Sequence, residues 1–185
     1  TGSVHEPIKG TKNPQKMLQT GIPFTKKPVA LQFDYKVKMS DRENRIRATG
    51  FSKITDVPGK DYPAAILLLQ KRWEDANGNV YAKRIGTMVT YYYHSTDWKN
   101  NVTYEIMYGD ITNRPEYKAH MMRLQATESY TVNSKGESVP IHEVAWGDEN
   151  DVPTHMYIQF TSSHGGAYIG SPGNTLWVDN VKLVY

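Results

Sequence analysis

The sequence predicts an all-β fold: an antiparallel β-sandwich of jelly-roll type behind an irregular N-terminal lead-in. Three observations predict it. Apolar and polar residues alternate with a period of two in several segments. Gly, Pro and Asn turn signals separate those segments. No segment carries a strong amphipathic helical repeat.

Residues 1–28 are interrupted by Gly2, Pro7, Gly10, Pro14, Gly21, Pro23 and Pro28, so no regular element is expected there. A coil of this length is either pinned to the domain or disordered, and Ile22 and Phe24 are the expected pins. Residues 29–185 are expected to form one β-sandwich domain, and the lead-in to pack on it. From Val29 the pattern changes. Val29, Leu31, Phe33, Tyr35, Val37 and Met39 alternate with Gln32, Asp34, Lys36 and Lys38, which reads as a half-buried strand. Residues 46–54 are a weaker strand candidate. Ala64 to Leu69 is continuously apolar, as in a strand buried on both faces. It meets Asp75-Ala76-Asn77-Gly78, where Asn-Gly predicts a hairpin with a type I′ turn and a return strand from Val80 to about Tyr93.

Trp98, Val102, Tyr104, Ile106 and Tyr108 occupy even positions of a further strand. Trp98 and Tyr104 are thereby expected in the core. Tyr117, Met121 and Leu124 have helical spacing, which allows a short helix within 115–126. Residues 127–153 read as loops around a further strand or two, and Met156, Ile158 and Phe160 begin another alternation. In the last strand Leu176 and Val178 lie on one parity and Val181, Leu183 and Tyr185 on the other. One extra residue at Asp179-Asn180, a β-bulge, keeps both sets facing the core. Trp177 is opposite in phase to Leu176 and is expected at the surface.

The segment Ser162 to Tyr185 reads SSHGGAYIGSPGNTLWVDNVKLVY. It resembles the C-terminal signature of the putative carbohydrate metabolism domain of Bacteroides-type surface proteins. Ser162, Ser163, Gly166, Tyr168, Gly170, Gly173, Leu176, Trp177, Val178, Asp179, Val181, Leu183 and Tyr185 carry the match. Gly21-Ile22-Pro23-Phe24, Pro28 and Leu31-Gln32-Phe33-Asp34-Tyr35-Lys36 resemble the family's opening strand. Asn174 and Asn180 depart from the usual Ser and second Asp. The resemblance implies one complete jelly-roll domain similar to carbohydrate-binding modules, and it implies no catalytic residues. Jelly-roll modules often hold a structural Ca²⁺ near the last strand, which makes Asp179 its candidate ligand by analogy. The competing reading is that Asp179 accepts backbone N–H bonds at the bulge. The acidic loop Asp148-Glu149-Asn150-Asp151 is a second Ca²⁺ possibility, with a solvated loop as its alternative.

Catalytic motifs are sparse. His142-Glu143 begins like a zinc-protease helix, but Trp146 stands where the second His is needed. There is no Gly-x-Ser-x-Gly elbow and no Walker loop. A glycosidase needs two carboxylates about 5–10 Å apart, for which Glu105, Glu128, Glu137 and Glu143 are the candidates. The absence of Cys excludes disulfides and thiolate chemistry. The pattern points away from an enzyme, with a jelly-roll glycoside hydrolase or polysaccharide lyase, or a purely structural adhesion module, as the alternatives.

The aromatic content points to sugar. There are 13 Tyr and 4 Trp but only 4 Phe. Tyr and Trp suit surfaces that are part apolar and part wet, although they also favour strands and sandwich cores. Loop aromatics at sandwich ends are the better binding candidates, which selects Trp73, Trp146 and Tyr168 for glycan contact. The expected partner is a glycan or polysaccharide. A balance of 22 Lys and Arg against 19 Asp and Glu, net +3, gives no footprint for nucleic acid. The basic pairs Lys26-Lys27, Lys71-Arg72 and Lys83-Arg84 read as solvated faces. No run of about 18 apolar residues exists to insert in a membrane. The chain starts at Thr1 and not Met, as a mature or trimmed fragment would, having lost any export signal. A monomer at the outer-membrane surface or outside the cell is expected.

Overall fold

A computed structural model describes residues 13–49 and 53–185. The described chain is nearly all β. Its strands are β1 (Ile22–Pro23), β2 (Ala30–Lys38), β3 (Arg45–Arg47), β4 (Thr55–Val57), β5 (Ala64–Glu74), β6 (Val80–Tyr91), β7 (Thr96–Glu105), β8 (Met107–Tyr108), β9 (Tyr130–Val132), β10 (Ser138–Trp146), β11 (His155–Thr161), β12 (Ile169–Gly170) and β13 (Thr175–Val184). A 3₁₀ turn at Pro14–Met17 and the four-residue helix α1 (Ala119–Met122) complete it. The short helix expected within 115–126 is there. The weak strand expected at 46–54 is only β3, and residues 50–52 of that span lie outside the described residues.

The chain divides into two compact units. The first holds residues 13–27, Leu67–Thr87 and Ile106–Ile158, and most of a seven-stranded sheet ordered β1-β11-β5-β6-β10-β9, with β8 beside β6. Leu67, Leu68 and Leu69 are buried, as the continuous apolar run requires of a strand covered on both faces. The hairpin between β5 and β6 turns at the expected residues but by a different route. The Gly78 N–H donates to the Asp75 carbonyl, and only Gly78 has a positive φ, at 91°. A type I′ turn needs Asn77 to be left-handed as well, and Asn77 is not. The Asp75 carboxylate explains the choice. It accepts the Asn77 and Asn79 N–H groups, both at 2.9 Å, and so closes the turn from its first residue.

Strands β6 and β10 pair in parallel, with His142 opposite Tyr81 and Trp146 opposite Arg84. A parallel neighbour needs a long crossover, and residues 92–137 supply it. Val80, Ala82 and Ile141 form a buried cluster beneath that pair, with Val139 against it. The lead-in is pinned through its backbone. Ile22 pairs with Met156 while its side chain is exposed, and the Phe24 N–H donates to the Thr154 carbonyl. Residues 1–12 of the expected lead-in lie outside the described residues.

The second unit holds Pro28–Ile66, Met88–Glu105 and Gln159–Tyr185. It contains two three-stranded antiparallel sheets, β13-β2-β7 and β12-β3-β4. Leu31, Phe33 and Val37 of β2 are buried, as the alternation requires. Phe33 stacks on Tyr104 at 5.2 Å and takes the edge of Phe160 of β11 at 5.0 Å. Tyr35 lies 4.6 Å from Tyr92. Phe33 and Phe160 come from different sheets, so the aromatic core is the filling of a β-sandwich.

The expected bulge in β13 is present. Asp179 pairs with Asp34 and Lys182 with Gln32, so three steps on β13 match two on β2. Asn180 takes the left-handed conformation that absorbs the extra residue, at φ 51°. Strand β7 holds two more bulges. Three of its steps match two on β2 between Val102 and Lys99, and again between Lys99 and Thr96. The first explains why Trp98 is not core as its even parity suggests. The phase slips once between Val102 and Lys99, before Trp98 is reached, and the residue stands 47% exposed.

Candidate functional site

The β13-β2-β7 sheet turns its even β2 residues away from Phe33 and Val37. Gln32 donates to Thr103 Oγ1 at 2.7 Å on that outer face, and Trp177 is the direct partner of Lys36. On the other side of Lys36 the second β7 bulge sets two residues, Asp97 and Trp98, opposite one. One rung of the sheet therefore reads Trp177, Lys36, then Asp97-Trp98. With strands about 4.8 Å apart, the two Trp backbones are roughly 10 Å from each other.

Trp177 is 40% exposed, as its phase predicts. The Lys36 ammonium lies 5.7 Å from its ring centroid and 4.0 Å from an Asp97 carboxylate oxygen. A cation–π contact at an exposed site is worth about 0.5–1 kcal/mol, and an exposed ion pair between zero and about 1. Lys36 is thus held loosely and a ligand displaces it at small cost. Around these groups Val37, Lys38, Ser95 and Thr96 complete a shallow depression of about 410 Å³. A flat indole with a mixed polar rim is what a sugar ring, apolar on its faces and polar at its edge, requires.

The residues singled out from sequence fall elsewhere. In the first unit Trp73 is 43% exposed near the end of β5 and stacks on Tyr81 at 5.9 Å, and Tyr81 lies 5.8 Å from His142. The three rings make a row across β5, β6 and β10. Trp146 is half-buried. The Arg84 guanidinium sits 5.7 Å from its ring centroid and Tyr117 meets it edge-on at 6.4 Å. Tyr168, in the second unit, is half-buried and left-handed at φ 62°. Of the three, Trp73 presents the most ring to solvent.

Glu143, a carboxylate weighed as a catalytic acid, has side-chain exposure of zero. Its Oε1 accepts Arg84 Nε and Gln70 Nε2, both at 2.5 Å, and its Oε2 accepts Arg84 Nη2 and the Gln125 N–H at 2.6 Å. Four donors occupy the carboxylate. Glu128 pairs with Arg123 and accepts the Ala126 and Thr127 N–H groups, which hold its carboxyl below the ordinary range against the opposing, largest effect of burial. Glu137 accepts Asn133 Nδ2 at 3.1 Å.

The two calcium candidates are likewise occupied by N–H donors. Asp179 accepts the Asn180 N–H at 2.8 Å. In the acidic loop Asp148 accepts the Asn150 N–H, and Asp151 accepts the Asp148 N–H and Lys71 Nζ. Among the described residues no three His, Asp or Glu side chains gather as a metal-ligand group. These donor sets fit capped turns better than a cation cage.

Trp177 was legible in the sequence as an exposed ring, but its neighbours were not. Asp97 and Trp98 reach the same rung only through a bulge that no turn signal marks.

No family model and no curated protein matches the sequence. Among solved structures, the 2.05 Å crystal structure of a putative glycoside hydrolase from Bacteroides thetaiotaomicron matches with a TM-score of 0.52 at 17% identity. The match covers 97% of this chain and 44% of that one, so this chain spans less than half the length of that protein. At that identity the likeness is one of fold alone. Among the described residues, no helix is long and apolar enough to cross a membrane.

Proposed function

We propose that this chain is a non-catalytic glycan-binding module of a bacterial cell-surface or secreted protein, and that its binding surface is the outer face of the β13-β2-β7 sheet. The observation that carries the reading is the rung on which Trp177 and Trp98 flank Lys36 above a shallow depression. Trp177 stacks on a sugar face, and Lys36, Asp97 and Ser95 offer hydrogen bonds to its hydroxyls. The exposed Trp73, with Tyr81 behind it, is a second contact surface in the first unit. The resemblance of residues 162–185 to the putative carbohydrate metabolism domain and the fold shared with a hydrolase from a Bacteroides species support the same class of ligand.

Binding is weak and uncharged in character, because stacking carries it and the chain is near neutral. Affinity electrophoresis on a panel of soluble polysaccharides tests it. The expected result is retardation on at least one neutral polysaccharide, lost in Trp177→Ala. A hydrolase or lyase instead releases reducing ends or unsaturated products from the same panel, and a structural spacer migrates unretarded on all of it.

A further inference from the structure

The glycine-rich segment from Ser162 to Ser171 is folded around one buried carboxylate. Asp61, in the second unit, has side-chain exposure of zero and accepts the His164 N–H at 3.1 Å and the Ser171 N–H at 3.0 Å. The glycines make that wrap possible. A Cβ on Gly165 would stand 3.0 Å from the Ile169 carbonyl oxygen, and one on Gly170 would stand 3.1 Å from Ser163 Oγ. Asp61 stays ionised, its carboxyl lowered by hydrogen bonds from His164, Ser163 and Ser171 that outweigh the largest single effect, burial, which raises it.

The product of this wrap is a held imidazole. His164 Nδ1 lies 3.1 Å from Asp61 Oδ1 and also 3.1 Å from the Tyr62 backbone nitrogen. Both contacts cannot use the same state of Nδ1. The Tyr62 N–H can use only an Nδ1 lone pair, whereas the ionised Asp61 needs an Nδ1–H. A lone pair facing the buried carboxylate at 3.1 Å is repulsive and the charge-assisted bond is the stronger of the two, so in a neutral ring the proton belongs on Nδ1 and Nε2 points an acceptor outward. The ring is partly exposed. Aromatic faces surround it: Tyr62 stacked at 5.6 Å, Tyr91 tilted at 4.9 Å, and the exposed Tyr93 edge-on to Tyr62 at 4.7 Å. Ser171 Oγ, buried beside Asp61, also lacks a partner among the described residues.

We infer that His164, with Tyr91 and Tyr93, forms a second sugar subsite in the second unit, for a neutral hexose whose hydroxyl donates to Nε2. This rests on the glycan reading above. The ligand is neutral because the buried Asp61 anion lies directly behind the imidazole and repels a uronate carboxylate. The histidine is pre-oriented, so little entropy is lost when the bond forms.

The test is a long-range ¹H–¹⁵N imidazole spectrum of the full chain, with His164 assigned through His164→Gln. Methyl β-glucoside, methyl β-galactoside, methyl α-mannoside and sodium glucuronate are titrated in turn. The expected result is an Nδ1–H ring whose resonances move saturably with at least one neutral glycoside and not with glucuronate. Tyr93→Ala should weaken that binding about fivefold, and Trp177→Ala should leave it intact. An Nε2–H ring, a response to glucuronate alone, or no response from His164 while the Trp177 indole resonance moves would each overturn the subsite and leave the Trp177 surface standing. A His164 response with a silent Trp177 indole would sink the first surface and keep the second.

Discussion

Asp34 Oδ2, on the central strand of the β13-β2-β7 sheet, accepts a 2.7 Å hydrogen bond from the side-chain amide of Asn180, the left-handed residue of the β13 bulge. The other oxygen accepts the Asn101 N–H at 2.6 Å, and Asn101 is the left-handed residue of a β7 bulge, at φ 53°. One carboxylate thus steadies two bulges on opposite neighbours. Asparagine suits both positions, because its short polar side chain tolerates positive φ better than most residues do.

The Asp34 carboxyl is held below the ordinary range, first by the Asn101 N–H and then by Asn180. Its contribution to stability is therefore complete above the unfolded carboxylate value of about 3.9 and is lost as pH falls through the lower folded value. Asp34→Asn should melt lower than the parent at neutral pH. The gap should close as both are taken into acid below the ordinary carboxylate range. Thermal melts of the two proteins over a pH series check this, and a constant gap would falsify the linkage.

Glu143 and Arg84 make the second prediction. Both side chains are buried, and the pair is closed by Gln70 and the Gln125 N–H. Removing one partner strands a charge, so Glu143→Ala should cost about 3–5 kcal/mol in guanidinium unfolding. Replacing both members with apolar residues of similar size should cost clearly less than the two single changes added. A Glu143→Ala variant of near-parental stability, but with a lost catalytic activity, would return Glu143 to the list of candidate acids.

The strands were legible wherever one face is buried. The Leu31-Phe33-Val37 alternation, the Ala64–Leu69 run and the parity switch at Asp179-Asn180 all became the expected elements. Misreadings came from features that leave no local trace. The β7 bulges are fixed by Asp34 and the β2 register across the sheet, so Trp98 looked like core in its own sequence. The parallel β6–β10 pair depends on where a long crossover returns, which periodicity does not encode. The Asp61–His164 contact joins residues about a hundred positions apart, and neither has a motif around it that specifies the other.

The calcium expectation yields a third prediction. Asp179 and the acidic loop take their own N–H donors, which a cation would have to displace. Melting temperature should be the same in millimolar CaCl₂ and in EDTA. Binding of a cation to the native state alone would raise it with concentration. A calcium-dependent rise that disappears in Asp179→Asn would assign Asp179 as a ligand.

The aromatic residues give the last prediction, because exposure and packing separate them. Trp177, Trp98 and Trp73 are about half-exposed, so Trp→Ala at each should change stability by well under the 3–5 kcal/mol of a core aromatic. Phe33→Ala is the core reference, since Phe33 is buried between Tyr104 and Phe160. Trp146→Ala should fall between these, since its ring covers Arg84 and meets Tyr117. Tyr168→Ala should also fall between, because the half-buried ring is lost while the left-handed backbone remains strained. Retention on polysaccharide gels is then read against melting for the same set. The glycan reading requires Trp177→Ala to lose retention while keeping its melting temperature, and Trp98→Ala to weaken retention. If Trp146→Ala or Tyr168→Ala alone loses retention at unchanged stability, the binding surface lies with the residues the sequence singled out. If retention and stability fall together in every variant, the loss is of folding, and the Trp177 surface is not the site.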